Sequence, residues 1–464
     1  MNDTKGKGQN HSAVPRSSFS GRLGYVLSVA GSAVGLGNIW RFPYLAAKYG
    51  GGMFLLVYLI LVVTFGYALI ISETALGRMT GKSPVGAFGR FGKSLAFRFG
   101  GWVNAVVPML IVPYYSVIGG WVIKYLVEYI KGNAAVLAGD SYFTDFVSSS
   151  VSVEFWFILF SAAVFLVISA GVEKGVERVS KIMMPLLVVL AIFVAGYSVT
   201  RPGAMMGVKY FLVPNFANFS WMTVVAAMGQ MFYSLSLAMG ILYTYGSYLK
   251  KDVDIEKSTT QVELFDTAIA MLAGLMIIPA VFAFSSGDPA TLNAGPSLMF
   301  ITLPKVFASM GFGTVAGVMF FLLVLFAALT SAISLMETSI STIEDELHWS
   351  RKSSSCVMIA VMLVVGSASA LGFGVLDFVT IFGMGILDFL DFLTNSIMMP
   401  MAAFSTCLLI SCVAGFAAIA KEMEQSSAFR RRKMYEFFMK YLAPVCILII
   451  LVSSIANVMG WISM

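Results

Sequence analysis

Ala30-Gly-Ser-Ala-Val-Gly-Leu-Gly-Asn-Ile-Trp-Arg-Phe-Pro43 sets Gly31, Gly35, Gly37, Asn38 and Arg41 inside the first hydrophobic segment of the chain. Each glycine gives up roughly 1 kcal/mol of helix propensity relative to alanine and lets the backbone leave helical angles. A charge at membrane depth is tolerated only in a cavity or beside a partner. Together these residues predict a helix that breaks in mid-membrane and frees carbonyls and amides there. Non-helical backbone survives within a bilayer only where it is buried in protein or lines a polar cavity, so the stretch reads as a binding site. Close packing by small residues would explain isolated glycine pairs. It leaves Asn38 and Arg41 without a role.

The 464 residues are 58% hydrophobic and only 12% charged, with a mean hydropathy of +0.86. That balance excludes a soluble globule of this size and defines an all-α polytopic membrane protein. Apolar runs able to cross roughly 30 Å of hydrocarbon lie near 23–45, 52–76, 100–130, 153–171, 180–199, 221–248, 260–284, 313–343, 355–373, 386–418 and 437–462, about eleven spans. The first is long, broken and without a small-residue cleavage site, so it is expected to stay in the mature protein.

Basic residues gather on one side. Lys5, Lys7, Arg16 and Arg22 precede the first span, and Arg78, Lys82, Arg90, Lys93 and Arg98 follow the second. Lys174, Arg178, Lys181, Lys250, Lys251, Lys257, Arg351, Lys352 and the run Arg430-Arg431-Arg432-Lys433 fall in or beside later loops of the same side. Few face the other way: Lys48, Lys131, Arg201, Lys209 and Lys305. The bias predicts a plasma-membrane protein with a cytoplasmic N-terminus and an external C-terminus. It accounts for the net charge of +6 without nucleic acid, and sets the Arg430 run over anionic lipid headgroups.

Cys356, Cys407, Cys412 and Cys446 lack metal-ligand spacing and read as small packing residues. His11 and His348 fall in cytoplasmic regions, away from any buried catalytic site. No nucleophile with a base and no metal cluster is legible, so an enzyme is not expected; nor is the continuous polar pore of a channel.

A second break follows in Gln230-Met-Phe-Tyr-Ser-Leu-Ser-Leu-Ala-Met-Gly240, where Ser234 and Ser236 precede Gly240, Thr244 and Gly246. Spans one and six are five apart, and an odd offset reverses orientation. Spans 1–5 and 6–10 therefore suit inverted repeats whose breaks face each other. This divides the chain into a cytoplasmic segment 1–20, a first repeat 21–200, a second repeat 201–420, and a basic loop with an eleventh helix, 421–464. Further polar groups lie at depth: Glu73 on span two, Tyr114 and Tyr115 on three, Asp266 on seven, Thr330, Ser331 and Glu337 on eight, Asp388 and Asp391 on ten. Taken alone, Thr330 or Ser331 reads first as a back-bond to the preceding turn. A carboxylate in a membrane demands a partner.

These residues assembled, the chain resembles the neurotransmitter:sodium symporter family, and within it the bacterial amino-acid transporters, a group that itself exemplifies inverted repeats with midplane binding. The resemblance covers essentially the whole chain. It rests on Gly31-Ser-Ala-Val-Gly-Leu-Gly-Asn38 with Arg41-Phe-Pro43, Glu73-Thr-Ala-Leu-Gly-Arg78, Lys174-Gly-Val-Glu177, Gly229-Gln-Met-Phe-Tyr-Ser-Leu-Ser236 and Ala327-Ala-Leu-Thr-Ser331.

The resemblance implies sodium-coupled symport of neutral hydrophobic or aromatic L-amino acids by alternating access, in a bacterial membrane, by a monomer or weak oligomer without an organic cofactor. It implies two sodium ions. The first would take the Ala33 carbonyl, Asn38, Ser234 and Asp266, with the substrate carboxylate completing the shell; the second the carbonyls of Gly31, Val34 and Ala327 with the hydroxyls of Thr330 and Ser331. The substrate carboxylate would meet the amides of Gly35, Leu36 and Gly37, where a half-helix dipole favours an anion, and the Tyr115 hydroxyl. The ammonium would meet carbonyls near Ala33, Tyr233, Ser234 and Ser236, and the side-chain pocket matches Ile111, Tyr233, Ser236, Met239 and Leu335.

Two residues set specificity in this reading. Amine-transporting relatives carry Asp at the position of Gly35, and many relatives carry Asn at the position of Asp266. A fixed carboxylate at 266 would balance the sodium charge and make transport chloride-independent. The implied gates pair Arg41 with Asp391 outside, above a lid of Tyr115 with Tyr233 or Phe232, and Arg16 with Asp345 inside, where Tyr248 and Glu337 support the latch. Phe19 stands where the family usually has Trp, and loss of the indole donor is expected to loosen that latch. The rival readings are a chloride-dependent amine or osmolyte symporter, disfavoured by Gly35 and Asp266, and a sodium-dependent amino-acid sensor, disfavoured by intact gates.

Overall fold

The computed structural model describes residues 17–92, 94–285 and 296–458. Lys5, Lys7, His11, Arg16 and Lys93 lie outside them. Among the described residues, nine helices are long and apolar enough to span a membrane: Gly52–Thr80, Phe97–Ile130, Ser150–Ser169, Val172–Val199, Ile255–Phe284, Gly313–Leu347, Arg351–Leu371, Ile386–Ala414 and Arg432–Ala456. The first span is a pair, Arg22–Ala33 and Gly37–Lys48, bent by 55° at the glycine-rich break. The sixth is also a pair, Trp221–Ser234 and Ile241–Ser247. Taking each pair as one span gives eleven among the described residues, with breaks in the first and the sixth.

Several helices outrun their apolar cores. The fifth span begins at Val172 rather than near 180, because Glu173, Lys174, Glu177 and Arg178 continue the helix as polar turns that hydropathy cannot register. The seventh begins at Ile255, where the Asp254 carboxylate accepts a hydrogen bond from the Lys257 amide at 2.9 Å and satisfies one orphan donor of the first turn. Short helices, Tyr142–Ser148, Ala204–Leu212 and Leu298–Ala308, occupy connections that carry no span signal.

Burial ranks the spans. The third and eighth are central, with 78% and 72% of their apolar stretches buried in protein, whereas the eleventh, at 22%, turns most of its surface outward. Small residues bring backbones together, as helix association in lipid requires: a Cβ at Gly77 would fall on the Tyr243 carbonyl, and one at Gly246 on the Thr74 carbonyl. The second span is thereby pressed against the second half of the sixth. Cys407 is buried in the core and the half-buried Cys446 packs against it, whereas Cys356 and Cys412 are exposed on spans nine and ten, so the packing role read for all four holds for two.

At the end of the second span, the Arg78 guanidinium is fully buried and meets the Glu422 carboxylate at 2.7 Å. It also donates to the carbonyls of Val253 and Glu422, each at 2.6 Å, while Lys251 reaches the same carboxylate at 2.7 Å. This knot ties the second span to a loop at Lys251 to Val253 and to the short helix Phe416–Met423, both distant in sequence. Breaking a buried pair by removing one partner costs about 3–5 kcal/mol. Arg78→Gln should therefore lower the thermal unfolding midpoint of the purified protein clearly, and an unchanged midpoint would show the knot to be dispensable.

Candidate ion and substrate site

Both breaks are held by side chains from other spans. The first helix stops at Ala33 and Val34 turns extended. There the Ser331 hydroxyl reaches the carbonyls of Ser32 at 3.0 Å, Gly31 at 3.3 Å and Val34 at 3.4 Å. The Leu36 amide donates to the Tyr115 hydroxyl at 3.1 Å, and the Gln230 amide group to the Gly37 carbonyl at 3.1 Å. In the sixth span Ser236, Ala238 and Gly240 take φ of 53°, 59° and 70°. For the two non-glycines that left-handed geometry costs roughly 1–2 kcal/mol each. It persists because the surroundings over-determine it: the buried Glu73 accepts the Ala238 amide at 2.9 Å, and Ser32 and Ser236 join the two breaks through their hydroxyls at 3.1 Å.

Asn38, Ser234 and Asp266, far apart in sequence, form one buried cluster. The Asn38 amide donates to Ser234 at 2.9 Å and to Asp266 at 2.7 Å, and the Ser234 hydroxyl lies 2.9 Å from both Asp266 oxygens. Tyr58, which sequence reasoning missed, donates to Asp266 at 2.9 Å and contacts Ser234 at 3.1 Å. Within an apolar run a tyrosine reads as core, and only its hydroxyl partner reveals otherwise. Among the described residues every donor to Asp266 is neutral, so no cationic side chain there balances its charge. A buried carboxylate surrounded by hard oxygens suits an alkali cation.

The second expected set also converges. Thr330 does make the back-bond, to the carbonyls of Phe326 at 2.9 Å and Ala327 at 3.2 Å, whereas Ser331 crosses to the first span. A Cβ on Gly31 would come 3.2 Å from the Thr330 Cβ, so the glycine permits this approach. Gly31, Val34, Ala327, Thr330 and Ser331 thus line one seam, joined by the unanticipated Ser32 carbonyl.

Between these clusters lies a cavity of about 20 Å³, room for about one water. Ala33, Gly35, Gly37, Ile111, Tyr115, Tyr233, Ser236, Met239 and Leu335 line it, with Ser32, Asn38, Ile241 and Ser331 added to the expected set. Ser234 is turned instead into the Asp266 cluster, and Leu36 lines a second cavity of about 400 Å³ together with Trp40, Arg41, Asp388 and Asp391. Tyr115 and Tyr233 line both cavities and form the partition between them. The Tyr233 ring lies where a Cβ on Gly37 would be. Phe232 points away, against Phe65 at 5.5 Å between centroids.

Arg41 and Asp391 face the larger cavity but form no ion pair among the described residues, contrary to the expected outer gate. Arg41 lies over the Tyr233 ring, 5.4 Å from its centroid. Asp391 accepts instead from Tyr114 of the third span at 3.1 Å and Asn395 of its own span at 2.6 Å.

The opposite end is closed in several layers. Phe19 is buried in a cage of Tyr25, Tyr245 and Tyr248 at centroid distances of 5.8, 5.4 and 6.0 Å, and its amide donates to the Tyr248 carbonyl. Phe19 brings no indole donor; edge-to-face packing on the three rings holds it instead. Tyr248 donates to Glu337 at 2.8 Å. Arg351, unanticipated as a gate residue, grips the same carboxylate at 2.5 and 3.1 Å. Asp345 accepts from the Ser83 amide at 2.7 Å and meets Lys82 at 3.5 Å; its expected partner Arg16 lies outside the described residues.

Two facing breaks, a buried oxygen cluster and a cavity sealed unequally at its ends define a secondary transporter. The sodium:neurotransmitter symporter family model matches residues 16–142 and 141–461, and the chain belongs to that family. It is a multi-pass membrane protein and a sodium-dependent transporter of a small-molecule substrate. An uncharacterized sodium-dependent transporter of Bacillus subtilis is 35% identical over 94% of this chain and 97% of its own length. The sodium-dependent dopamine transporter of Caenorhabditis elegans is 26% identical over 95% of this chain and 81% of its own. Among solved structures, MhsT in complex with L-phenylalanine superposes with a TM-score of 0.85 and 36% identity, covering 95% of this chain and all of that one.

The Glu73 brace on the sixth-span break is testable by stability alone. Glu73→Ala leaves the Ala238 amide without its acceptor, a loss of about 1–3 kcal/mol, whereas Glu73→Gln keeps an acceptor oxygen. The alanine variant should melt clearly below the glutamine variant in detergent; equal midpoints would mean that other contacts hold the break.

Proposed function

We propose that this protein is a sodium-coupled, chloride-independent symporter of neutral hydrophobic or aromatic L-amino acids, working by alternating access. One observation carries the reading: a glycine-floored cavity with an apolar wall of Ile111, Met239, Ile241 and Leu335 directly adjoins Asn38 of the Asp266 cluster. A substrate carboxylate on the amides of Gly35 to Gly37 would enjoy the half-helix dipole and complete the shell of a first sodium ion beside Asn38, Ser234 and Asp266. The seam of Gly31, Val34, Ala327, Thr330 and Ser331 would hold a second, bound only by neutral oxygens and so easily released. MhsT, crystallised with L-phenylalanine, supports the substrate class.

Gly35 supports an amino acid over an amine. A Cβ there would stand 2.8 Å from the Ser331 hydroxyl and 2.9 Å from that of Tyr115, so any larger residue must displace one of them. In this reading the Arg41 end faces outward and the Phe19 end the cytoplasm, in a bacterial plasma membrane. Arg41 and Asp391 would close over the lid once Tyr115 and Tyr233 have admitted substrate. Alternating access then requires Phe19, Tyr248, Glu337 and Arg351 to part as the other end shuts.

The deciding experiment is binding of labelled neutral amino acids to the purified protein, in sodium against choline at constant chloride, then chloride against gluconate at constant sodium. Sodium-dependent, chloride-indifferent binding of an apolar amino acid is expected; sodium-independent binding would overturn the coupling. Asp266→Asn should weaken sodium-driven binding by about tenfold or more, since hydrogen bonds and contacts to a charged group are worth about 1.5–3 kcal/mol, and should make what remains respond to chloride. Residual binding indifferent to chloride would remove Asp266 from the charge balance.

A further inference from the structure

Away from both breaks, a cavity of about 620 Å³ opens where the second span passes into the third. Lys82, Arg90, Arg98 and Glu346 are its charged walls, three cations against one anion. Arg90 is exposed and makes no ion pair among the described residues. Lys82 and Arg98 keep 47% and 51% of their side chains exposed while touching Asp345 at 3.5 Å and Glu346 at 2.9 Å. The cavity thus holds more positive charge than its own carboxylate neutralises, and the cations remain open to a further anion.

The helix that carries Arg98 adds an independent observation. Leu95, Arg98, Phe99 and Trp102 stand at i, i+3, i+4 and i+7, one face of a helix. The three apolar members are exposed by 84%, 55% and 37%. A soluble anion has no use for this surface, but an acyl chain does: an arginine set in an apolar stripe at a span's end matches a charged headgroup above its own hydrocarbon. The volume lies within the range of sites that enclose small ligands.

We propose that this cavity seats the headgroup of an anionic phospholipid, its phosphate held by Arg90, Arg98 and Lys82 and its chains laid along Phe99 and Trp102, which follow Arg98 into the span. The bound phosphate competes with Asp345 and Glu346 for Lys82 and Arg98. These two carboxylates lie on the last turn of the eighth span, the span that also carries Thr330, Ser331 and Glu337. Headgroup occupancy therefore loosens the end of that span from the second and third, and couples lipid composition to the transporter's Phe19 end. The proposal needs only the membrane-spanning fold, and stands apart from the identity of the transported substrate.

Native mass spectrometry of the full-length protein, purified in detergent and offered phosphatidylglycerol or phosphatidylcholine of equal chain length, tests it. The wild type should retain phosphatidylglycerol several-fold better, and the double variant Arg90→Gln/Arg98→Gln should lose that preference. Lys209→Gln, an exposed cation elsewhere on the chain, should keep it. Equal retention by the wild type and the double variant overturns the site. Glycerol 3-phosphate or inorganic phosphate displacing the lipid as well as a second anionic lipid does overturns the lipid assignment in favour of a soluble phosphate. Should the double variant melt early, Arg90→Gln alone serves, because its side chain joins no ion pair that holds the fold; retention unchanged in that variant, with the wild-type preference lost at Arg98→Gln only by unfolding, likewise overturns the site.

Discussion

A backbone that leaves the helix inside hydrocarbon must find a hydrogen-bond partner for every exposed amide and carbonyl, because no water is there to supply one. The stretches after Ala33 and after Ser234 meet that demand with Ser331, Tyr115, Gln230 and Glu73, drawn from the eighth, third, sixth and second spans. The demand therefore fixes how four spans sit around two breaks. Carbonyls that remain pointing into the gap are the ones available to cations, and amides the ones available to an anion. Binding capacity and fold integrity are in this sense the same requirement seen from two sides.

The second span and the second half of the sixth are closely joined in that arrangement. Backbone meets backbone at Gly77 with Tyr243 and at Gly246 with Thr74, and the Glu73 carboxylate reaches across to the Ala238 amide. With no room for even a methyl group at these glycines, the two segments would move together in the proposed cycle, leaving relative motion to looser seams such as the one closed by Ser331 hydroxyl contacts of 3.0 to 3.4 Å.

The broken first span was legible because glycines, Asn38 and Arg41 crowd a stretch that should be a plain membrane helix, and Asp266 because an acid is conspicuous in hydrocarbon. Tyr58 was not, since its ring packs on Phe42 at 5.0 Å as any core aromatic would and only the hydroxyl acts on the cluster. Arg351 lies among loop cations that all look alike to a charge count, and three-dimensional proximity alone selects it for Glu337. The helical turns around Glu173 to Arg178 were invisible to hydropathy, which measures what a residue dissolves in rather than what its backbone does. Arg41 and Asp391 are complementary in sign and level, yet complementarity in sequence does not say whether the two side chains meet in a given conformation. Tyr114 and Asn395 satisfy the carboxylate meanwhile.

The two closures of the central cavity differ in thickness. Toward Arg41 it is a single layer, the rings of Tyr115 and Tyr233, with about 400 Å³ of open space beyond. Toward Phe19 it is an aromatic cage backed by a tyrosine, a glutamate and an arginine. Opening the thin side asks for movement of two side chains, whereas parting packed helix ends is a collective motion of microseconds to milliseconds. In the proposed symport cycle the thick side is therefore the slower of the two to open, and a ligand entering past the rings would be sampled before the slow step commits the molecule.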